Sequence, residues 1–444
     1  MNHDLTTDES TLPAALPPWL ARLPWVAALP ALTQRQWRTL GLVALAALVG
    51  SYDLALLQLA LPQIEQSLAI PATQLSDLGA IIKLGSLPAF GFALAADGWG
   101  RRRLLIGAVL CFTLLTGATA LAPNAALFVT LQFLVRMFVT VVAILAGVFI
   151  VEEFPAQVRG WGMGAYSAIA SVGGGMAALL FALVEVLPFG WRALYLLGLG
   201  ALGLLPLWRA ALPETTRFLA QQATQATTQP TTATGPLLLR LQPLRQLIHT
   251  YPRRLLALGS IILFFNLGGD AALFYDPTYL QQAHGWQPWQ ISLLNLSAGF
   301  MAVLGSVTAG RMSDGVGRKR ATALFLVAMP LFIIGYYNGV GWLLPLLWAG
   351  LLFSSIGATV VLGAMNGELF PTSYRATAAG ATALWATLSG ALSLLIHGRL
   401  VSLGYSPWFA ISLLALLLLV TPLFILLLPE TSGRTLEEIA PERV

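Results

Sequence analysis

The sequence predicts an all-α membrane protein, with twelve transmembrane helices set in two pseudo-symmetric six-helix bundles. Three observations carry that prediction. The chain is 57% hydrophobic and only 10% charged, whereas soluble domains carry roughly 25% charged residues, so there is too little polar surface to keep 444 residues dissolved in water. Apolar stretches long enough to span a bilayer, about 20 residues each, recur along the whole chain. Short polar motifs between those stretches repeat at one fixed offset.

The candidate spans lie near residues 39–63, 75–96, 103–122, 126–150, 161–184 and 192–211, then near 255–276, 290–312, 320–339, 343–365, 377–397 and 407–428. This divides the chain into a tail (1–38), a first bundle (39–211), a linker (212–254), a second bundle (255–428) and a short tail (429–444). An even number of spans puts both termini on one side. Of 24 Lys and Arg residues, 20 then fall in segments on that side; Arg192 and Arg399 fall opposite, and Lys83 and Arg136 lie within spans. Basic residues favour the cytoplasmic side, so both termini are expected there, in a plasma-membrane protein.

A net charge of +5 and a pI near 9.6 do not make this a nucleic-acid binder, because the basic residues sit in short clusters between apolar runs rather than along one face. Cys111 is the only cysteine, and His3, His249, His284 and His397 are scattered, so no disulfide, thiol-rich centre or metal site is expected. The acidic start (Asp4, Asp8, Glu9) lacks the form of a signal peptide. The Thr- and Gln-rich stretch 224–235 reads as a tether, and 237–248 as a short helix lying on the membrane face.

The repeat is specific. Asp97-Gly-Trp-Gly100-Arg101-Arg102 after the second span returns 217 residues later as Asp314-Gly-Val-Gly317-Arg318-Lys319 after the eighth. Glu152-Glu-Phe-Pro155 with Arg159 returns 216 residues later as Glu368-Leu-Phe-Pro371 with Arg375, and Pro213-Glu214-Thr215 returns at the same distance as Pro429-Glu430-Thr431. Three motif pairs at one offset indicate two parallel six-helix repeats, an arrangement that places a site between the halves.

Taken together, these motifs resemble those of the major facilitator superfamily, in particular its sugar porters and metabolite:proton symporters. The resemblance covers about residues 38–440. Ala93 stands where the first loop usually has glycine, and Gly98 and Gly315 where each loop usually has arginine. What it implies is a secondary active transporter working by alternating access, with spans one, four and seven lining a central cavity. It implies no cofactor beyond a proton gradient, and as partners a small solute, protons and lipid; a monomer is expected.

The loop motifs supply the parts of a breakable charge lock. Asp97, Arg101, Glu152 and Arg159 in the first half, and Asp314, Arg318, Glu368 and Arg375 in the second, are expected to form a cytoplasmic gate, with carboxylate–guanidinium bonds across neighbouring helix ends. The arginine clusters serve topology as well.

Charges inside the bilayer are functional candidates by default. Asp53, Lys83, Arg136 and Asp270 lie at similar depth, and Asp270 follows Asp53 by 217 residues, so the two acids are repeat equivalents. One reading pairs Asp53 with Lys83 or Arg136 as a structural ion pair. The other makes Asp53 and Asp270 proton-coupling sites, with Lys83 and Arg136 attracting an anionic or polar solute; Gln58 and Asn266 read equally as hydrogen-bonding partners of that solute and as polar glue between helices. Glu185 and Asp276 read as solvated or vestibular outer-end residues, and Trp191, Trp286, Trp289 and Trp342 as interface anchors. Gly198-Leu-Gly-Ala-Leu-Gly203 matches a nucleotide-loop pattern but lies in an apolar helix, where small residues serve packing. The leading expectation is proton symport of a carboxylate-bearing metabolite or a sugar; export by the same fold is the alternative.

Overall fold

The structure is a computed structural model that describes residues 32–155, 158–216, 218, 242–433 and 436–439; for residues 93–98, 242–244, 372, 373, 376, 436 and 437 it describes the backbone alone. Twelve of its helices are long and apolar enough to cross a membrane: α1 (Gln34–Leu59), α2 (Ala72–Phe92), α3 (Arg101–Thr119), α4 (Ala125–Glu153), α5 (Arg159–Phe181), α6 (Trp191–Ala211), α7 (Pro252–His284), α8 (Pro288–Val316), α9 (Arg318–Asn338), α10 (Leu344–Glu368), α11 (Thr377–Ser402) and α12 (Pro407–Leu426). The order and the centres follow the hydropathy reading. The helix expected over 237–248 runs instead from Gln242 to Thr250, and its first expected residues, with Arg240, lie outside the described part, as do the tether, Arg217 and Arg434.

The largest difference in length is at α7, which runs eight residues past the expected end at 276. The apolar window stops at Asp276-Pro277, yet the helix continues through the proline. Two buried tyrosine contacts hold this stretch: the Tyr336 hydroxyl donates to Asp276 Oδ1 at 2.5 Å, and the Tyr337 hydroxyl donates to the Ala272 carbonyl at 2.5 Å. In a membrane a polar group is tolerated when the protein itself satisfies it.

Local sequence explains the other irregularities. α6 and α12 each contain a 3₁₀ stretch, Leu199–Leu204 and Leu416–Val420, directly before a proline-led turn at Pro206 and Pro422. Proline lacks the N–H that an α-helical ladder needs, and both repeats break the ladder at the same place. Gly173 of α5 lies against the Leu48 carbonyl of α1, and Gly85 of α2 against the Phe133 carbonyl of α4, each too close for a Cβ. Small residues let these backbones approach, which is the membrane route to tight helix packing.

The face where α1 begins, rich in arginine, is called here the basic face, and the opposite one the far face. Between the halves, α2 lies against α11 and α5 against α8, and α1 also touches α7.

Candidate functional site

The intramembrane charges do not pair as the sequence suggests. Lys83 Nζ of α2 meets Asp270 Oδ2 of α7 at 2.5 Å, which joins the two halves. A Cβ on Gly390 of α11 would collide with both members of this pair, so that glycine makes the room for it. Arg136 of α4 donates through Nε to Ser86 Oγ at 3.0 Å, and among the described residues no carboxylate lies within ion-pair distance of it. Lys83, Arg136, Asp270 and Gln58 all line one small cavity of about 110 Å³.

Asp53 stands apart from that cavity, so the expected Asp53–Lys83 or Asp53–Arg136 pair is not formed. It is 1% exposed and accepts from the Thr116 hydroxyl of α3 at 2.8 Å. Its other oxygen has no hydrogen-bond partner among the described residues. Repeat symmetry thus places two equivalent acids in different company, one beside a cation and one beside a hydroxyl. Asn266 donates to the Ile262 carbonyl of its own helix at 2.8 Å and lines neither described central cavity.

A larger cavity of about 530 Å³ adjoins the first, sharing Gln58 and Leu273 with it. Asp276, Asn295 and Trp348 form part of its wall. Here the structure corrects the reading of Asp276 as solvated: it is 1% exposed, whereas Glu185 is exposed. Trp191 is likewise buried rather than an interface anchor, while Trp289 and Trp342 are exposed.

Five hydrogen bonds between the halves gather toward the far face. Besides Lys83–Asp270, Gln63 donates to Gln281 at 2.7 Å, Gln282 donates to Glu65 at 2.9 Å, and Ser76 Oγ bonds both the Tyr275 hydroxyl at 2.7 Å and His397 Nδ1 at 2.8 Å. Burial pushes the Glu65 carboxyl above its ordinary 4.5, and the Gln282 amide only partly offsets this. Apart from Lys83 and Asp270, the sequence hid this seal because its members are lone polar residues, none of which forms a motif.

On the basic face the charge pairs run within each half. Arg101 meets Glu152 at 3.2 Å, and Arg318 meets Glu368 at 3.1 Å. Asp314 pairs with Arg318, one helical turn ahead across Gly317, at 2.6 Å, not with Arg375. Arg375 Nε and Nη2 are buried without a hydrogen-bond partner among the described residues, and Arg159 Nε donates to the Phe154 carbonyl at 3.0 Å. The Asp97 side chain lies outside the described part.

A second basic-face device was present in the sequence without an assigned role. Gly100 and Gly317 stand just before α3 and α9 with φ of +90° and +104°, a conformation only glycine adopts readily. Each lies against a glutamate, Glu214 or Glu430, that a Cβ would crowd. Glu214 accepts from the Arg102 N–H at 3.1 Å, and Glu430 accepts from the Arg318 and Lys319 N–H groups at 2.9 and 3.2 Å. These carboxylates cap the free N–H groups of the third helix in each repeat, and complement its dipole. Burial opposes the charge on Glu430, but backbone N–H groups of Ser432, Lys319, Arg318 and Thr431 outweigh it and hold the carboxyl below its ordinary 4.5.

The repeat, the polar cavity between the halves and the paired basic-face motifs define a secondary transporter. The profile of the Major Facilitator Superfamily matches residues 43–336, and the chain belongs to that superfamily. It is similar to the cis,cis-muconate transport protein of Acinetobacter baylyi, with 25% identity over 377 residues, covering 83% of this chain and 88% of that one. It is also similar to the arabinose-proton symporter of Bacillus subtilis, with 24% identity over 401 residues, covering 81% and 84%. Among solved structures, the inward-open xylose transporter of E. coli superposes with a TM-score of 0.73 at 18% identity, covering 91% of this chain and 99% of that one. The chain is a multi-pass membrane transporter and not an enzyme.

Proposed function

We propose that this protein carries a small organic anion across the plasma membrane together with protons, with both termini cytoplasmic. The observation that supports this reading is Arg136: a guanidinium with no carboxylate within ion-pair distance among the described residues, in the wall of a cavity between the halves, beside a lysine already paired to an acid. A carboxylate is the natural complement to such a group, since arginine binds it through two parallel N–H bonds. Relatives named for muconate transport and for arabinose–proton symport fit a carboxylate solute and a proton couple respectively.

In this scheme a proton on Asp270 releases Lys83, which turns to the solute carboxylate alongside Arg136. Losing the Lys83–Asp270 link also removes one of the bonds that hold the far face closed. Asp53, one helix layer behind, serves as a second proton site. The conformation sealed at the far face is then the inward-facing one, and the charge pairs within each half keep each bundle rigid as the two rock against each other.

Reconstitution into proteoliposomes tests this. An inward proton gradient is expected to drive accumulation of a labelled monocarboxylate. Arg136→Gln is expected to raise its KM about 10- to 100-fold, the worth of a charge-assisted hydrogen bond of roughly 1.5–3 kcal/mol. Asp270→Asn is expected to abolish uphill accumulation while leaving solute exchange intact. Gradient-driven expulsion of a cationic compound, with no carboxylate uptake, would turn the reading to export.

A further inference from the structure

The larger cavity is not used by the scheme above, and its polar groups differ in kind from those of the smaller one. Where the small cavity offers cations, the wall of the large one offers the Asp276 carboxyl and, on Trp348, an indole N–H that is buried without a hydrogen-bond partner among the described residues. Trp348 is 3% exposed and Asp276 1% exposed. Both are held in place. The Tyr336 hydroxyl donates to Asp276 Oδ1, and the Tyr336 ring packs against the Trp348 ring with centroids 5.2 Å apart. The rest of the wall is largely apolar or small, with Ala55, Leu59 and Gly175 of α1 and α5 facing Leu296, Gly299 and Leu352 of α8 and α10.

The two cavities meet at Gln58 and Leu273. Asp276 lies six residues beyond Asp270 on α7, a rise of about 9 Å along the helix. A solute that spans both therefore meets a cationic pole, a waist formed by the Gln58 amide and the Leu273 side chain and, about 9 Å away, an acceptor beside a donor.

We infer that the solute is a monocarboxylate whose far end carries a hydrogen-bond donor next to an acceptor, as an amide or a hydroxyl does. The donor serves Asp276 and the acceptor receives the Trp348 N–H. This rests on the organic-anion reading and narrows it. A buried polar group that expects a partner discriminates strongly against a ligand that lacks one. A plain aliphatic acid leaves the Trp348 N–H unpaired and gives Asp276 no donor beyond Tyr336, and a dicarboxylate sets a second anion against Asp276. Amide and hydroxyl acids share the chemistry that the site reads.

Four labelled acids of similar length separate the outcomes: 6-hydroxyhexanoate, 4-acetamidobutanoate, hexanoate and adipate, each offered to the full-length protein in proteoliposomes. The first two are expected to be taken up with kcat/KM about tenfold or more above hexanoate and adipate, and whichever of them leads tells a hydroxyl solute from an amide solute. Asp276→Asn is expected to admit adipate. Trp348→Phe, which keeps the ring and loses the N–H, is expected to lower uptake of the first two acids by about tenfold relative to hexanoate. Should Asp276→Asn fail to fold, Trp348→Phe alone carries the test. If all four acids are transported alike and neither variant changes their ranking, while Arg136→Gln depresses all of them, the inference about the far pole falls and the anion reading stands. If none of the four is transported, the anion reading itself falls and takes this one with it.

Discussion

A glycine can matter for what it leaves empty. Gly390 has an ordinary helical neighbourhood except that the Lys83–Asp270 pair occupies the space its side chain would fill. Gly390→Ala is therefore expected to push the two charges apart and cut transport at least about tenfold, because overpacking at a tight site costs roughly 1–3 kcal/mol; counterflow measurements check this. The pair itself is asymmetric under mutation. Lys83→Met or Asp270→Asn alone strands a charge or a polar group inside the bilayer, a loss of about 3–5 kcal/mol for a buried pair and less here, since the side chains are 22% and 18% exposed. The double variant is expected to melt above the lysine-retaining single variant, and a double-variant loss equal to the sum of the two single losses would show that the pair is not energetically coupled. Glu430 makes a different kind of contribution. Its carboxyl is held below the ordinary value, so the stabilisation it gives α9 is full above about pH 4.5 and fades as the pH falls through the lowered folded value. Glu430→Gln is expected to cost about 0.5–2 kcal/mol, the range for a lost helix cap, visible as a lower Tm at neutral pH and a smaller difference from the wild type in acid.

At the scale of single elements, hydropathy revealed the twelve spans and their order because lipid demands long apolar helices. It misjudged α7 because a window of apolar residues cannot see that Tyr336 and Tyr337, sixty residues away in sequence, satisfy Asp276 and Ala272. The same blindness hid Gly390, Ser76 and His397, whose roles exist only where α2, α7 and α11 converge. Four intramembrane charges were legible as candidates from their cost in lipid, but their pairing was not. Repeat symmetry drew attention to Asp53 and Asp270 alike, while the structure gives the cation to Asp270 and only a hydroxyl to Asp53. The caps at Gly100 and Gly317 were half visible: the 216-residue echo of Pro-Glu-Thr was plain in the sequence, but its target, the start of the third helix of each repeat, required coordinates.

For the molecule as a whole, the seal on the far face decides which side of the membrane the cavity sees. Glu65 is part of it, with a carboxyl raised by burial. A raised carboxyl binds its proton more tightly in the sealed form than when water surrounds it, so sealing is favoured as pH falls through the raised value and disfavoured as pH rises above it. In a variant with Cys111→Ser, Gln281→Cys and Asp270→Asn, the last removing the opposite pull that a proton on Asp270 exerts on the seal, labelling by a membrane-impermeant thiol reagent is expected to slow in acid and quicken toward neutral pH. Adding Glu65→Gln is expected to flatten that dependence; a slope that survives the change assigns it elsewhere. The composition of the seal also has a kinetic meaning. Apart from the single ion pair, its polar part among the described residues consists of four hydrogen bonds, none of them between two charged groups, each worth about 0.5–1.5 kcal/mol net. Breaking all four thus demands roughly 2–6 kcal/mol, which a solute supplies by preferring the open form about 30- to 10⁴-fold. A clasp of this strength yields to the differential affinity of one small ligand, and a sturdier apolar closure would have traded turnover for tightness.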